Sequence, residues 1–198
     1  IIHSKRLKKM KQIDFYYDFA SPTAYLAWSQ LVKADNTKYA INYKPVLLGG
    51  IFKSTDNKPP GTIQAKAKWM FSDIKRYAAK YKVAFKMNDA FPTNSLYLMR
   101  GAVFAQENNF LEKYNEAFFN AMWAENIDLS KPENIAKTIE KNDMNSKEIF
   151  NKVEDPAIKE KLKSLTSQAV ENGLFGVPAF IVEGELYFGQ DRMDWFLD

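Results

Sequence analysis

Cysteine is absent from all 198 residues, and that absence excludes more than any other feature of the composition. No disulfide, thiolate nucleophile, Cys-x-x-Cys redox pair or thiolate metal site can form. Histidine is nearly absent too. The single one, His3, sits in a basic lead-in, which removes the usual general base and most transition-metal sites. No metal is expected. Long apolar runs are missing as well: no segment approaches the ~20 residues of a membrane span. The basic start at 1–9 is not followed by the apolar stretch of a secretory signal. No membrane is therefore expected as a partner, and the location expected is cytoplasmic. Nor does one sign of charge dominate. Lys and Arg number 28 against 24 Asp and Glu, a net +4 spread along the chain, and nucleic acid is not indicated. An enzyme made from this sequence is expected to borrow its reactive group.

What is present is an aromatic-rich chain, 15% Phe, Trp and Tyr. It is long enough for one domain, or one domain with a large insertion, that buries roughly 70% of its unfolded surface. Residues 13–18, Ile-Asp-Phe-Tyr-Tyr-Asp, form a short apolar and aromatic run that reads as a buried strand. Pro22 suits the first turn of a helix, which Ala24, Tyr25, Leu26, Trp28, Leu31 and Val32 continue with an apolar face. Ser21 then stands at the helix mouth, where unpaired N–H groups and the positive dipole end favour an anion. Ser before Pro is also an ordinary N-cap, and this stretch alone does not separate the two roles.

A second strand is expected over 40–48, ended by Gly49-Gly50, with a loop over 51–61. From about 62 to 172 the pattern is helical. Ile63, Ala67, Met70, Ile74, Tyr77 and Tyr81 form one stripe. Further helices follow Asn94-Ser95, include 111–123, open at a Ser130 to Glu133 capping box, and start at Asp155-Pro156. Arg100, mid-helix, is expected in an internal ion pair, and Tyr16, Tyr17 and Phe19 in the core and a pocket wall. Strands return over 177–182 and 186–188, and a helix begins near Gly189. The fold class is α/β with an all-helical insertion. The divisions are 10–61, the inserted helices 62–165, the returning part 166–198, and 1–9 as a dispensable leader or vector-derived remnant.

These residues in this order resemble the thioredoxin superfamily. The likeness is to the DsbA-like branch shared by bacterial disulfide oxidoreductases, kappa-class glutathione transferases and 2-hydroxychromene-2-carboxylate isomerases. Redox members carry a Cys pair at the first helix mouth; Ser21-Pro22 stands there, as in the transferases and isomerases. The match extends through Leu48-Gly49-Gly50-Ile51-Phe52-Lys53, Asn57-Lys58-Pro59-Pro60, Lys66 with Trp69-Met70, and Phe91-Pro92-Thr93-Asn94. It continues through Gly176-Val177-Pro178 and Gly189-Gln190-Asp191-Arg192. It covers Met10 to the C-terminus. Gln64, Ala65 and Lys68 depart from the pattern beside the acceptor pocket, which touches the identity of the second substrate.

The resemblance implies a thioredoxin-like fold and a glutathione-dependent isomerase or glutathione S-transferase acting on a small-molecule electrophile or aromatic carboxylate. By likeness, Ser21 is catalytic and hydrogen-bonds the glutathione sulfur, with Pro22 and Thr23 at the same mouth. Val177, before a cis Pro178, pairs with the cysteinyl part. Gln190 and Asp191 hold the γ-glutamyl end, and Asn57 adds a contact. Lys66 and Asn94 match positions near the second substrate, although each also has an ordinary surface or capping role. Such relatives are usually dimers, so a homodimer is expected. The rival reading is a non-enzymatic thioredoxin-like module that holds a peptide along an edge strand at Val177-Pro178.

Overall fold

The apolar run near the start forms β1 (Lys11–Tyr17), the second strand of a four-stranded sheet. The computed structural model describes residues 10–198; the expected leader at 1–9, His3 included, lies outside the described residues. From β1 the chain passes through α1 (Pro22–Leu31) to β2 (Tyr39–Pro45), which pairs with β1 in parallel, Phe15 opposite Tyr43. A helical crossover is what a parallel pair requires. After the helices, β3 (Ala179–Val182) pairs antiparallel with β1, Phe15 opposite Phe180, and β4 (Glu185–Phe188) completes the order β2-β1-β3-β4.

Gln12 and Asp14 alternate with buried Ile13 and Phe15 along the first part of β1, and both faces are covered only at its end, Phe15 to Tyr17. Ile13, Phe15 and Tyr17 enter the main core, where the Phe15 ring stacks on Phe180 at 5.4 Å. Tyr16 enters a second cluster with Val46, Ile51, Ala169 and Ala179. The inserted helices are α3 (Gln64–Tyr81), α4 (Leu96–Glu107), α5 (Leu111–Trp123), α6 (Pro132–Lys141), α7 (Ser146–Val153) and α8 (Pro156–Glu171). Helix α8 runs unbroken through position 166. The expected α/β class with a helical insertion is present.

Several local expectations are corrected. The strand expected to reach 48 stops at Pro45, and Leu48–Thr55 is a helix, α2, with Gly49-Gly50 inside it. Its first turn is held from far away: Leu48 N–H donates to Asp18 Oδ2 at 2.7 Å and Leu47 N–H to Thr166 Oγ1 at 3.0 Å. At Gly50 a Cβ would lie 3.1 Å from Thr166 Cγ2, so this glycine permits close approach of α2 to α8 rather than ending a strand. Ser130 does not cap α6. Lys131 is the N-cap, without a side-chain bond, and the Ser130 hydroxyl donates to Asp128 Oδ1 at 2.5 Å. The short α7 was not expected; Asn145 caps it by accepting the Glu148 N–H at 3.2 Å. The C-terminal helix is instead a 3-10 turn, Gln190–Trp195. Arg100 makes no ion pair among the described residues; it donates to the Val153 carbonyl at 3.4 Å and lies over the Tyr97 ring.

Candidate active site

The end of β1 places Ser21. Asp18, fully buried, accepts the Ala20 N–H on Oδ1 at 2.9 Å and the Leu48 N–H on Oδ2, while Ser21 N–H donates to the Asp18 carbonyl at 3.1 Å. Burial pushes the Asp18 carboxyl above its ordinary value, and the bonds from Leu48 and Ala20 pull against that shift. Ser21 takes an extended conformation and accepts the Ala24 N–H at 3.1 Å. It is therefore an N-cap. It also lines a cavity of about 1000 Å³, at 5% exposure. Its own proton has only loose outlets, the Val177 carbonyl at 3.4 Å and the Thr23 hydroxyl at 3.0 Å.

Two backbone donors stand free beside that hydroxyl. Pro22 has no N–H, Ala24 N–H is taken by Ser21, and Thr23 N–H has no protein acceptor among the described residues. The Val177 N–H has none either. The Val177-Pro178 peptide is cis, and the Pro178 carbonyl accepts the Gly189 N–H at 2.9 Å, which joins this segment to the 3-10 turn. An unpaired helix-start N–H beside a hydroxyl donor suits a sulfur or oxygen anion.

Of the residues singled out in the sequence, Ser21, Pro22, Thr23, Asn57, Lys66, Val177, Pro178, Gln190 and Asp191 all line this cavity. Asn94 does not: its Oδ1 accepts the Leu96 N–H at 3.0 Å at the start of α4. Asn57 donates to the Phe175 carbonyl at 2.7 Å, tying the loop after α2 to the segment before Val177. Gln190 is 5% exposed and Asp191 lies beside Arg192 at 3.3 Å. Tyr16, Tyr17 and Phe19 are core and line no part of the cavity, which corrects the pocket-wall expectation.

The sequence reading gave no site role to several other lining groups. Asp73 lies two helical turns after Lys66 on α3, a spacing that could have placed both on one wall. Phe52, Trp69, Met70, Phe91 and a cis Pro92 give the rest of the wall an apolar and aromatic character. The sheet order also corrects the edge-strand idea: β3, which follows Val177-Pro178, lies between β1 and β4. Among the described residues no group of three or more His, Cys, Asp or Glu could hold a metal, and no helix is long and apolar enough to cross a membrane.

Comparison with known proteins agrees with this architecture. The family model of the DSBA-like thioredoxin domain matches residues 12–198. The chain is 29% identical to glutathione S-transferase kappa 1 of Homo sapiens, covering 93% of this chain and 88% of that protein. It is 28% identical to 2-hydroxychromene-2-carboxylate isomerase of Sphingobium xenophagum, covering 93% of this chain and 95% of that protein. A solved structure of 2-hydroxychromene-2-carboxylate isomerase superposes with a TM-score of 0.84 at 26% identity, over 93% of this chain and 91% of that one.

Proposed function

The chain belongs to the DSBA-like thioredoxin domain family, and from that premise we propose that it is a glutathione-dependent enzyme. It is either an isomerase of an unsaturated aromatic-type carbonyl or carboxylate compound or a glutathione S-transferase, in line with the names of its relatives. What carries this proposal is a single observation. A chain without cysteine places a nearly buried hydroxyl, Ser21, at the mouth of a helix where it opens on a large cavity.

The free donors fit the tripeptide. Val177 offers an unpaired N–H and a nearby carbonyl to the cysteinyl backbone, in the manner of strand addition. Gln190 and Asp191 stand where the γ-glutamyl end would lie, and Pro22, Thr23 and Asn57 border the same space. Bound glutathione would supply a sulfur nucleophile for an electrophilic carbon, either reversibly as in isomerisation or for conjugation as in transfer. The Ser21 O–H turns from its loose contacts to donate to the sulfur, a charge-assisted bond that favours the thiolate. The Thr23 N–H adds to it, and a free thiol of pKa about 8.5 is lowered at such a helix mouth. With no histidine among the described residues, the thiol proton goes to solvent. The aromatic wall of Phe52, Trp69 and Phe91 takes a flat apolar acceptor, and Lys66 at its rim attracts an acidic group. We take the molecule as a cytoplasmic homodimer, with 10–61 and 166–198 as the thioredoxin-like parts around an inserted 62–165.

A thermal-shift titration tests this. A ligand at 100 times its Kd stabilises the folded state by about 2.7 kcal/mol, a rise of roughly 5–10 °C for a chain of this size. An unchanged melting temperature at millimolar glutathione would refute the reading and leave a peptide-binding module.

A further inference from the structure

Tyr81 closes α3, and Gln190 opens the 3-10 turn at the other end of the chain. The Tyr81 hydroxyl lies 3.2 Å from Gln190 Oε1 and 3.2 Å from the Gln190 carbonyl. Among the described residues it is the only group bonded to the Gln190 amide, and it takes the oxygen end. Burial above all, with Tyr77, Asp194 and Asp191 nearby, holds the Tyr81 hydroxyl well above the ordinary tyrosine value. At neutral pH it is protonated and serves as a donor.

An amide has an acceptor end and a donor end, and fixing one fixes the other. With Oε1 engaged, Gln190 Nε2 is left with both N–H groups. It has no protein partner, yet it is not sealed off, and the residue lines the cavity beside Asp191. The two side chains then present opposite chemistry: N–H donors on Gln190, a carboxylate on Asp191. The γ-glutamyl end of glutathione carries the matching pair, an α-carboxylate and an ammonium.

We infer that Tyr81 is a positioning residue of the glutathione site: by holding Oε1 it turns the Gln190 amide so that its N–H end meets the γ-glutamyl α-carboxylate. The inference rests on the glutathione reading above. It makes α3, from the inserted helices, a determinant of recognition at the opposite end of the chain. Without the hydroxyl the amide is free to turn over and set its oxygen against the ligand carboxylate.

The test is binding calorimetry on the full chain with glutathione and with 4-aminobutanoyl-cysteinyl-glycine, which lacks that carboxylate. Tyr81→Phe should weaken glutathione binding about 3- to 10-fold, the worth of one neutral hydrogen bond. It should leave binding of the analogue unchanged, while the folded state loses at most about 1 kcal/mol with the hydroxyl. In a Gln190→Ala background the same substitution should have no further effect. Turnover should show a raised KM for glutathione with unchanged kcat. Equal losses for both ligands, or no loss for glutathione, would overturn the role of Tyr81 while leaving the glutathione reading intact. Failure of the unmutated protein to bind glutathione would overturn both.

Discussion

Replacing Ser21 by Ala removes one O–H donor from the proposed sulfur site, and the structure sets the size of the effect. That proton holds only loose bonds in the free protein, to Val177 O at 3.4 Å or Thr23 Oγ1 at 3.0 Å, so turning it to a thiolate sacrifices little. A hydrogen bond to a charged partner contributes about 1.5–3 kcal/mol, and each pKa unit corresponds to about 1.36 kcal/mol. The pKa of bound glutathione should therefore rise by about 1–2 units in Ser21→Ala. The Thr23 N–H remains, so part of the depression survives. The sign is that of an acid whose anion is stabilised: wild-type activity falls as pH drops through the bound thiol pKa, and the variant's fall begins at higher pH. Below both values the rate should be about 10- to 100-fold lower, and it should recover on raising the pH. Loss of the N-cap bond to Ala24 will separately cost about 1 kcal/mol of stability, which the pH dependence does not share. Thiolate absorbance of the glutathione complex and the pH-rate profile measure this directly. Superposable titrations, or a rate loss that alkaline pH does not restore, would refute Ser21 as the activator.

Two further substitutions probe the frame. Because burial raises the Asp18 carboxyl above its ordinary 3.8, the stability contributed by its neutral form is complete below that value and lost as pH rises through the folded-state pKa. The stability of the wild type relative to Asp18→Asn should thus shrink from about pH 3 toward neutrality; parallel denaturation curves across that window would exclude it. In α4, a Cβ on Gly101 would lie 2.0 Å from the Tyr114 hydroxyl, which donates to the Leu98 carbonyl at 3.0 Å. Gly101→Ala should destabilise by about 2–4 kcal/mol in urea unfolding, after overpacking, the lost bond and a helix-propensity gain are combined, and an equally stable variant would contradict that contact.

What was legible in the sequence is what neighbouring residues decide. The strand before Ser21, the helix behind Pro22 and the strands returning over 177–182 and 186–188 rest on composition and turn chemistry within a few positions. The features misread have either a distant cause or a local competitor for the same group. Nothing near Leu48 announces a helix, because its first N–H groups are met by Asp18 and Thr166. The Ser130 motif has the right spacing, but Asp128 takes the serine. Likewise Asn94, matched by resemblance to a substrate position, turns its amide oxygen onto the backbone of α4. Among the lining groups, Ser21 and Val177 stand in recognisable local patterns, whereas the contact of Tyr81 with Gln190 bridges 109 positions that no local pattern relates.

The turn before Ser21 explains why the inserted helices cannot be treated as a mere cover. Asp18 is bonded to Leu48 of α2, and its carboxyl is also met by Ser95 at the start of α4. Phe19 N–H donates to Met99 Sδ of α4 at 3.4 Å, and the Phe19 carbonyl accepts the Trp123 indole N–H of α5 at 2.8 Å. Ala20 N–H returns to Asp18. The Asp18 carboxyl and carbonyl, both backbone groups of Phe19 and the Ala20 N–H are thus fixed, part of this by the insertion, in a setting where stray polar groups are costly. A donor that stabilises a thiolate works best when it is already aimed and needs no reorganisation. Ser21 meets that condition because helices from the middle of the sequence hold Asp18 and Phe19 ahead of it, while the Ser21 hydroxyl keeps a proton free to turn.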